Sequence, residues 1–157
     1  MTRYELLTQW SKEFFDDQFI IEPASNDASF RHYYRIKIGK KSLIAMDAPP
    51  DKEDISSFVA IAKKLHQDDI RVPNLYEINS KLGFILMEDF GKTTYGDALT
   101  LKNSDNLYKN ALSTLVTIQK NCHYKNIPSY RSGLLLNEMS LFEEWYLNKY
   151  KLSLIHI

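Results

Sequence analysis

Hydrophobic positions change period along the chain. From Phe19 to Met87 they come in short segments of alternating or continuous apolar character, and from Ser104 onward they recur every three or four residues. The first pattern is that of strands and the second that of amphipathic helices. The run Gly83-Phe84-Ile85-Leu86-Met87 is apolar on both faces of a strand and stops abruptly at Glu88-Asp89 and Gly91, so it reads as a buried strand opening into a polar crossing. That crossing is the expected join between a sheet-rich lobe and a helical one, and clefts between lobes are favoured places for small ligands.

The other elements follow in order. Thr2-Arg3-Tyr4-Glu5 has the form of a capping box, and Leu6, Leu7, Trp10 and Phe14 recur at helical spacing to about Asp16. Phe19 to Glu22 reads as a first strand ending at Pro23. After the small-residue turn Asn26-Asp27-Ala28-Ser29, the residues Phe30, His32, Tyr34, Ile36 and Ile38 alternate with Arg31, Tyr33, Arg35 and Lys37. This period of two predicts one core face, with His32 on it as a core histidine, and one basic face toward water or a ligand. Gly39-Lys40-Lys41 turns the chain into a third strand, Ser42 to Met46. Asp51 or Asp54 caps a helix carrying Ile55, Phe58, Val59, Ala62 and Leu65, with Lys63-Lys64 on its solvated face. Leu75 to Ile78 is a further strand.

Lys92 to Leu99 is expected to be a linker entering a short helical turn. Ser104 is the expected N-cap of a helix with Leu107, Ala111, Leu112, Leu115 and Ile118. Asn121 to Gly133 reads as a loop, and Leu134 to about Lys149 as a second long helix, whose Glu138, Glu143 and Glu144 make a solvated face. The fold class is α+β, a five-stranded antiparallel sheet with helices followed by the first helices of an α-helical lobe. The expected divisions are an N-terminal helix (1–17), a small lobe (18–88), the start of a helical lobe (89–150) and a tail (151–157). Leu152 to Ile157 fits no element and resembles the peptide encoded by an adapter used in sequencing libraries. It is expected to be non-native and the chain to be an amino-terminal piece.

Composition narrows the function. The 157 residues, 44% hydrophobic and 13% aromatic, suffice for a core, and 20 basic residues balance 20 acidic ones. No basic stripe interleaves with aromatics, so neither nucleic acid nor an anionic membrane is an expected partner. Thr2-Arg3-Tyr4-Glu5 opens no apolar leader, so the expected location is cytoplasmic. Cys122, the one cysteine, makes a poor metal site. The turn Asn26 to Ser29 carries no glycine-rich fingerprint and reads first as a plain hairpin connection; the sharper alternative is that its small side chains and backbone N–H groups, with Ser29 and Arg31 as donors, admit a nucleotide phosphate.

The segments Ala24 to Arg35, Leu43 to Pro50, Val72-Pro73 and Leu86 to Gly91, with Leu134 to Leu147 extending the match, resemble the aminoglycoside phosphotransferase family, whose fold is similar to that of protein kinases. The nearest likeness is to bacterial kinases of the anomeric hydroxyl of N-acetylmuramate and N-acetylglucosamine, in cell-wall sugar recycling. The resemblance implies ATP, with Mg2+, as cofactor and a small sugar as substrate. It makes Asn26, Asp27, Ala28, Ser29 and Arg31 the phosphate-covering loop, and Met87, Glu88 and Asp89 the hinge whose backbone meets adenine. Two departures accompany it. The place of the third-strand cation and its helix glutamate falls on Asp47 and Phe58, so Arg31 or Arg35 is expected to grip the phosphates instead. The family's His-x-Asp-x-x-x-x-Asn catalytic loop is absent, His66-Gln67-Asp68 reading as a helix end, so the piece is expected to be inactive alone, with catalytic and metal residues outside it. An aminoglycoside or other small-alcohol kinase is the alternative within the class, and a non-catalytic nucleotide-binding module the alternative outside it.

Overall fold

In the computed structural model, residues 1–16, 18–26, 29–122 and 130–147 are described. The expected loop from Asn121 to Gly133 and the expected tail fall largely or wholly outside them. Two units divide the chain, Met1–Cys122 and His123–Ile157.

The first unit is built on one antiparallel sheet of order β1-β2-β3-β5-β4. Its strands are β1 (Ile20–Asn26), β2 (His32–Ile38), β3 (Lys41–Asp47), β4 (Leu75–Asn79) and β5 (Phe84–Glu88). The apolar run read as a buried strand is β5, with Phe84, Ile85, Leu86 and Met87 all buried between β3 and β4. β1 runs past Pro23, where the sequence pattern ends it. As an edge strand it tolerates the missing N–H, and the ladder slips between Pro23 and Ser25.

Each face of the sheet has its own helix. α1 (Arg3–Ser11) starts with the expected capping box, Thr2 accepting from the Glu5 N–H and the Glu5 carboxylate accepting from the Thr2 N–H. It ends five residues before Asp16, so Leu7 and Trp10 are buried against Ile36, Ala45, Phe84 and Leu86, while Phe14 is exposed beyond its end. α2 (Ser56–Gln67) covers the opposite face, where Met46, Ala48, Ile55, Ile85 and Met87 form a second cluster with Phe58 and Val59 packed on it. The N-cap of α2 is Ile55, with no side-chain cap bond, rather than the expected Asp51 or Asp54; Asp54 accepts instead from the Ser56 N–H at 2.8 Å in a local turn.

Three positions on and before β2 differ from the alternation reading. Phe30 precedes the strand and is exposed, and His32 is exposed at its first position rather than in the core. Arg35, on the nominally basic face, is buried. Gly83, with φ of +72°, packs so closely on the end of β3 that the Ala48 N–H donates to its carbonyl at 2.9 Å.

After β5 come a short α3 (Tyr95–Ala98), capped reciprocally by Thr94 and Asp97, and α4 (Ser104–Asn121). The N-cap of α4 is Asn103, one residue before the expected Ser104. Leu112, Leu115 and Val116 of α4 are exposed. In the second unit, α5 (Ser132–Leu141) passes into a π-helical stretch, Phe142–Leu147, where a continuous α-helix was expected. The Phe142 and Tyr146 rings stack there at 5.1 Å.

Candidate functional site: a cavity at the strand-to-helix crossing

A cavity of about 450 Å³ lies where the sheet meets the crossing after β5. Pro23, Ala24 and Ser25 of β1 form one wall, Tyr33, Ile44 and Met87 the sheet floor, and Glu88 to Lys92 with Thr94 the far edge. Side chains two apart share a face of a strand, so Tyr33 and Arg35 enter together from β2. The apolar slot with a polar backbone edge suits a flat heteroaromatic ring stacked between β1 and the floor.

The acidic pair at the crossing works internally. Arg35 donates from Nε to Asp89 Oδ2 at 2.6 Å and from Nη2 to Asp89 Oδ1 at 3.0 Å, and also to the Gly91 carbonyl at 3.0 Å. The Ser42 hydroxyl and the Gly91 N–H add donors to the same carboxylate, at 2.6 and 2.8 Å. The Arg35 hydrogen bonds, assisted by Ser42 and Gly91, hold the Asp89 carboxyl well below the usual carboxylate range. Glu88 accepts from Arg71 Nη1 at 3.0 Å and from the side-chain and backbone N–H groups of Asn74. Arg71 foremost lowers its pKa. Both carboxylates therefore brace the crossing to β2, β3 and the segment entering β4.

The sequence-read candidates separate into those at the cavity and those elsewhere. Met87, Glu88 and Asp89 line it. Ser29 and Arg31 are not among its lining residues; the Ser29 hydroxyl accepts from the Arg31 N–H at 3.2 Å, and the Arg31 guanidinium binds Glu53. The backbone of Asn26 ends β1 opposite His32. Asp27 and Ala28 lie outside the described residues. Pro23, Ala24, Tyr33 and Ile44 are cavity residues that the motifs did not single out, although the period of β2 ranks Tyr33 with Arg31 and Arg35.

The third-strand departure takes a different form in three dimensions. Asp47 pairs in register with His32 and faces α1, where the Arg3 guanidinium binds its Oδ1 and donates to the Leu82 carbonyl at 2.6 Å. The cavity-side residue at that end of β3 is Met46, buried in the cluster on which Phe58 packs. An apolar pair thus occupies the place first given to Asp47 and Phe58, and Asp47 offers no repulsion on the cavity face. Arg35, the second expected grip, is spent on Asp89.

Among the described residues no group of three or more His, Cys, Asp or Glu side chains gathers to hold a metal ion, and no helix is long and apolar enough to cross a membrane.

Comparison with known proteins places the chain among relatives. The N-acetylmuramate/N-acetylglucosamine kinase of Pseudomonas aeruginosa is 36% identical, over 94% of this chain and 47% of its own length. The proteins of that name from Pseudomonas putida and Neisseria meningitidis are 35% and 30% identical over 94% and 95% of the chain. The chain spans about half the length of these curated relatives, at 46–47%. Residues 20–154 match the model of the phosphotransferase enzyme family, and the chain belongs to that family.

Proposed function

We propose that the cavity holds the purine of ATP and that the whole protein transfers the terminal phosphoryl group to a small-molecule hydroxyl, the anomeric hydroxyl of N-acetylmuramate or N-acetylglucosamine in cell-wall sugar recycling. The observation carrying this reading is the slot walled by Ala24, Tyr33, Ile44 and Met87 beside a crossing fixed from both sides, in a chain of this family. Names of the curated relatives supply the sugar.

The Glu88 and Asp89 side chains are committed, so the base meets the backbone of residues 87–91. Asn26 to Ser29, with Arg31, cover the phosphates. Residues 18–88 act as the nucleotide lobe, and residues from 89 open the helical lobe. Mg2+ spreads the charge developing on the transferred group, on ligands outside this chain, and the 157 residues alone have no phosphotransferase activity. The protein acts in the cytoplasm.

The test is phosphoryl transfer from ATP by the protein carrying the rest of its reading frame, assayed with magnesium and each N-acetylated sugar. A 1-phosphorylated sugar supports the reading. Activity confined to an unrelated alcohol overturns the sugar, and no transfer to any alcohol overturns the kinase.

A further inference from the structure

The face of β2 that turns Tyr33 and Arg35 to the cavity also carries Lys37, with Arg31 just before the strand, and each cation there has a separate fate. Arg35 is buried against Asp89, and Lys37 donates to Glu22 at 2.8 Å. Arg31 stands at the end of β2 remote from the crossing, four residues and roughly 13 Å along the strand from Arg35. Its Nε and Nη2 donate to one Glu53 oxygen at 3.3 and 3.1 Å, and its guanidinium lies 5.9 Å over the Phe58 ring. Tyr33, two residues along the same strand face, lines the cavity. Beneath this group lies the Phe58 ring, packed on the cluster that holds the buried Met46.

We propose that Glu53 is a positioning residue for nucleotide binding: it holds Arg31 over Phe58, beyond the cavity lining and on the side of Tyr33 away from the crossing, so that the Arg31 guanidinium supplies toward the phosphates the positive charge that Met46 and Phe58 lack. This rests on the nucleotide reading given above. A long arginine side chain loses much rotamer freedom when it is ordered, and Glu53 imposes that order before a ligand arrives. A guanidinium has five N–H donors, so binding Glu53 through Nε and Nη2 does not exhaust it. The pair comes from the start of β2 and the segment before α2, which gives it a means of following the nucleotide independently of the braced crossing.

Equilibrium binding of ATP and of adenosine to the protein carrying the rest of its reading frame tests the proposal, with melting curves confirming that variants at this partly exposed pair remain folded. The wild type is expected to bind both. Arg31→Ala weakens ATP about tenfold and leaves adenosine within about twofold, as loss of a charge-assisted contact to phosphate requires. Glu53→Gln weakens ATP about threefold without altering adenosine, and has no further effect in the Arg31→Ala background. Unchanged or tighter ATP binding by Glu53→Gln, or an equal loss whether Arg31 is present or not, overturns the proposal while the nucleotide reading stands. A wild-type chain that binds neither ligand overturns both.

Discussion

Arg35 and Asp89 form a two-bond ion pair across the crossing, with only 9% and 3% of their side chains exposed. Two buried charges of opposite sign are tolerable because each supplies the other's missing solvation. Removing one leaves the other uncompensated, at about 3–5 kcal/mol. Asp89→Asn is therefore expected to cost about 3 kcal/mol in urea denaturation at pH 7.

The same pair sets an acid limit. The Asp89 carboxyl is held below its ordinary range by Arg35, so the unfolded chain takes up its proton more readily than the native one. The stabilisation is complete above the unfolded pKa of about 3.9 and fades as pH falls from there toward the lower native value. The stability difference between wild type and Asp89→Asn should be equal at pH 7 and pH 5 and shrink below about pH 4. Urea midpoints across that range check it, and a difference that already declines between pH 7 and pH 5 would contradict it.

On the opposite face, Arg3 ties α1 to β3 through the buried Asp47 carboxylate and stacks over the Phe84 ring at 4.5 Å. Asp47 Oδ2 has no partner of its own among the described residues, which leaves Arg3 as the main compensation for that charge. Arg3→Ala should cost about 3 kcal/mol. Thr2→Ala, which removes only the helix cap, should cost about 1 kcal/mol. Equal losses for the two in chemical denaturation would show that Asp47 does not depend on Arg3.

Gly83 and Gly91 both have positive φ, +72° and +91°, but only Gly83 is crowded. A Cβ there would stand 1.8 Å from the Ala48 carbonyl oxygen, whereas nothing lies within 4 Å of one at Gly91. Gly91→Ala should cost about 1–2 kcal/mol of backbone strain, and Gly83→Ala more than about 4 kcal/mol, because backbone must move. Comparable melting temperatures for the two variants would contradict the close approach of β3 to the turn before β5.

Local pattern carried the architecture because burial repeats at fixed spacing. The unbroken apolar run marked β5 as the doubly covered strand, and the Thr2–Glu5 spacing marked the start of α1. The end of α1 was misread because Phe14 continues the helical rhythm after the backbone has left the helix at Ser11. The π-helical stretch was invisible for a similar reason, since Phe142 and Tyr146 are spaced as an α-helix would space them. At the site, Met87 to Asp89 were legible as the crossing, but their partners were not. Arg35 and Ser42 lie 54 and 47 residues from Asp89, and Arg71 lies 17 from Glu88. Only the folded sheet joins them. Alignment by motif placed Asp47 on the cavity face; the register of β2 with β3 moves that place by one residue to Met46, and a shift of one reverses the face.

The central claim is that the slot between β1 and the crossing receives the nucleotide base. Titrating the 15N-labelled chain with ATP tests it most directly. The account predicts saturable shifts of the Ala24, Tyr33, Ile44, Met87 and Gly91 amides; no shift at these positions, or saturable shifts confined to α4 or α5, would contradict it.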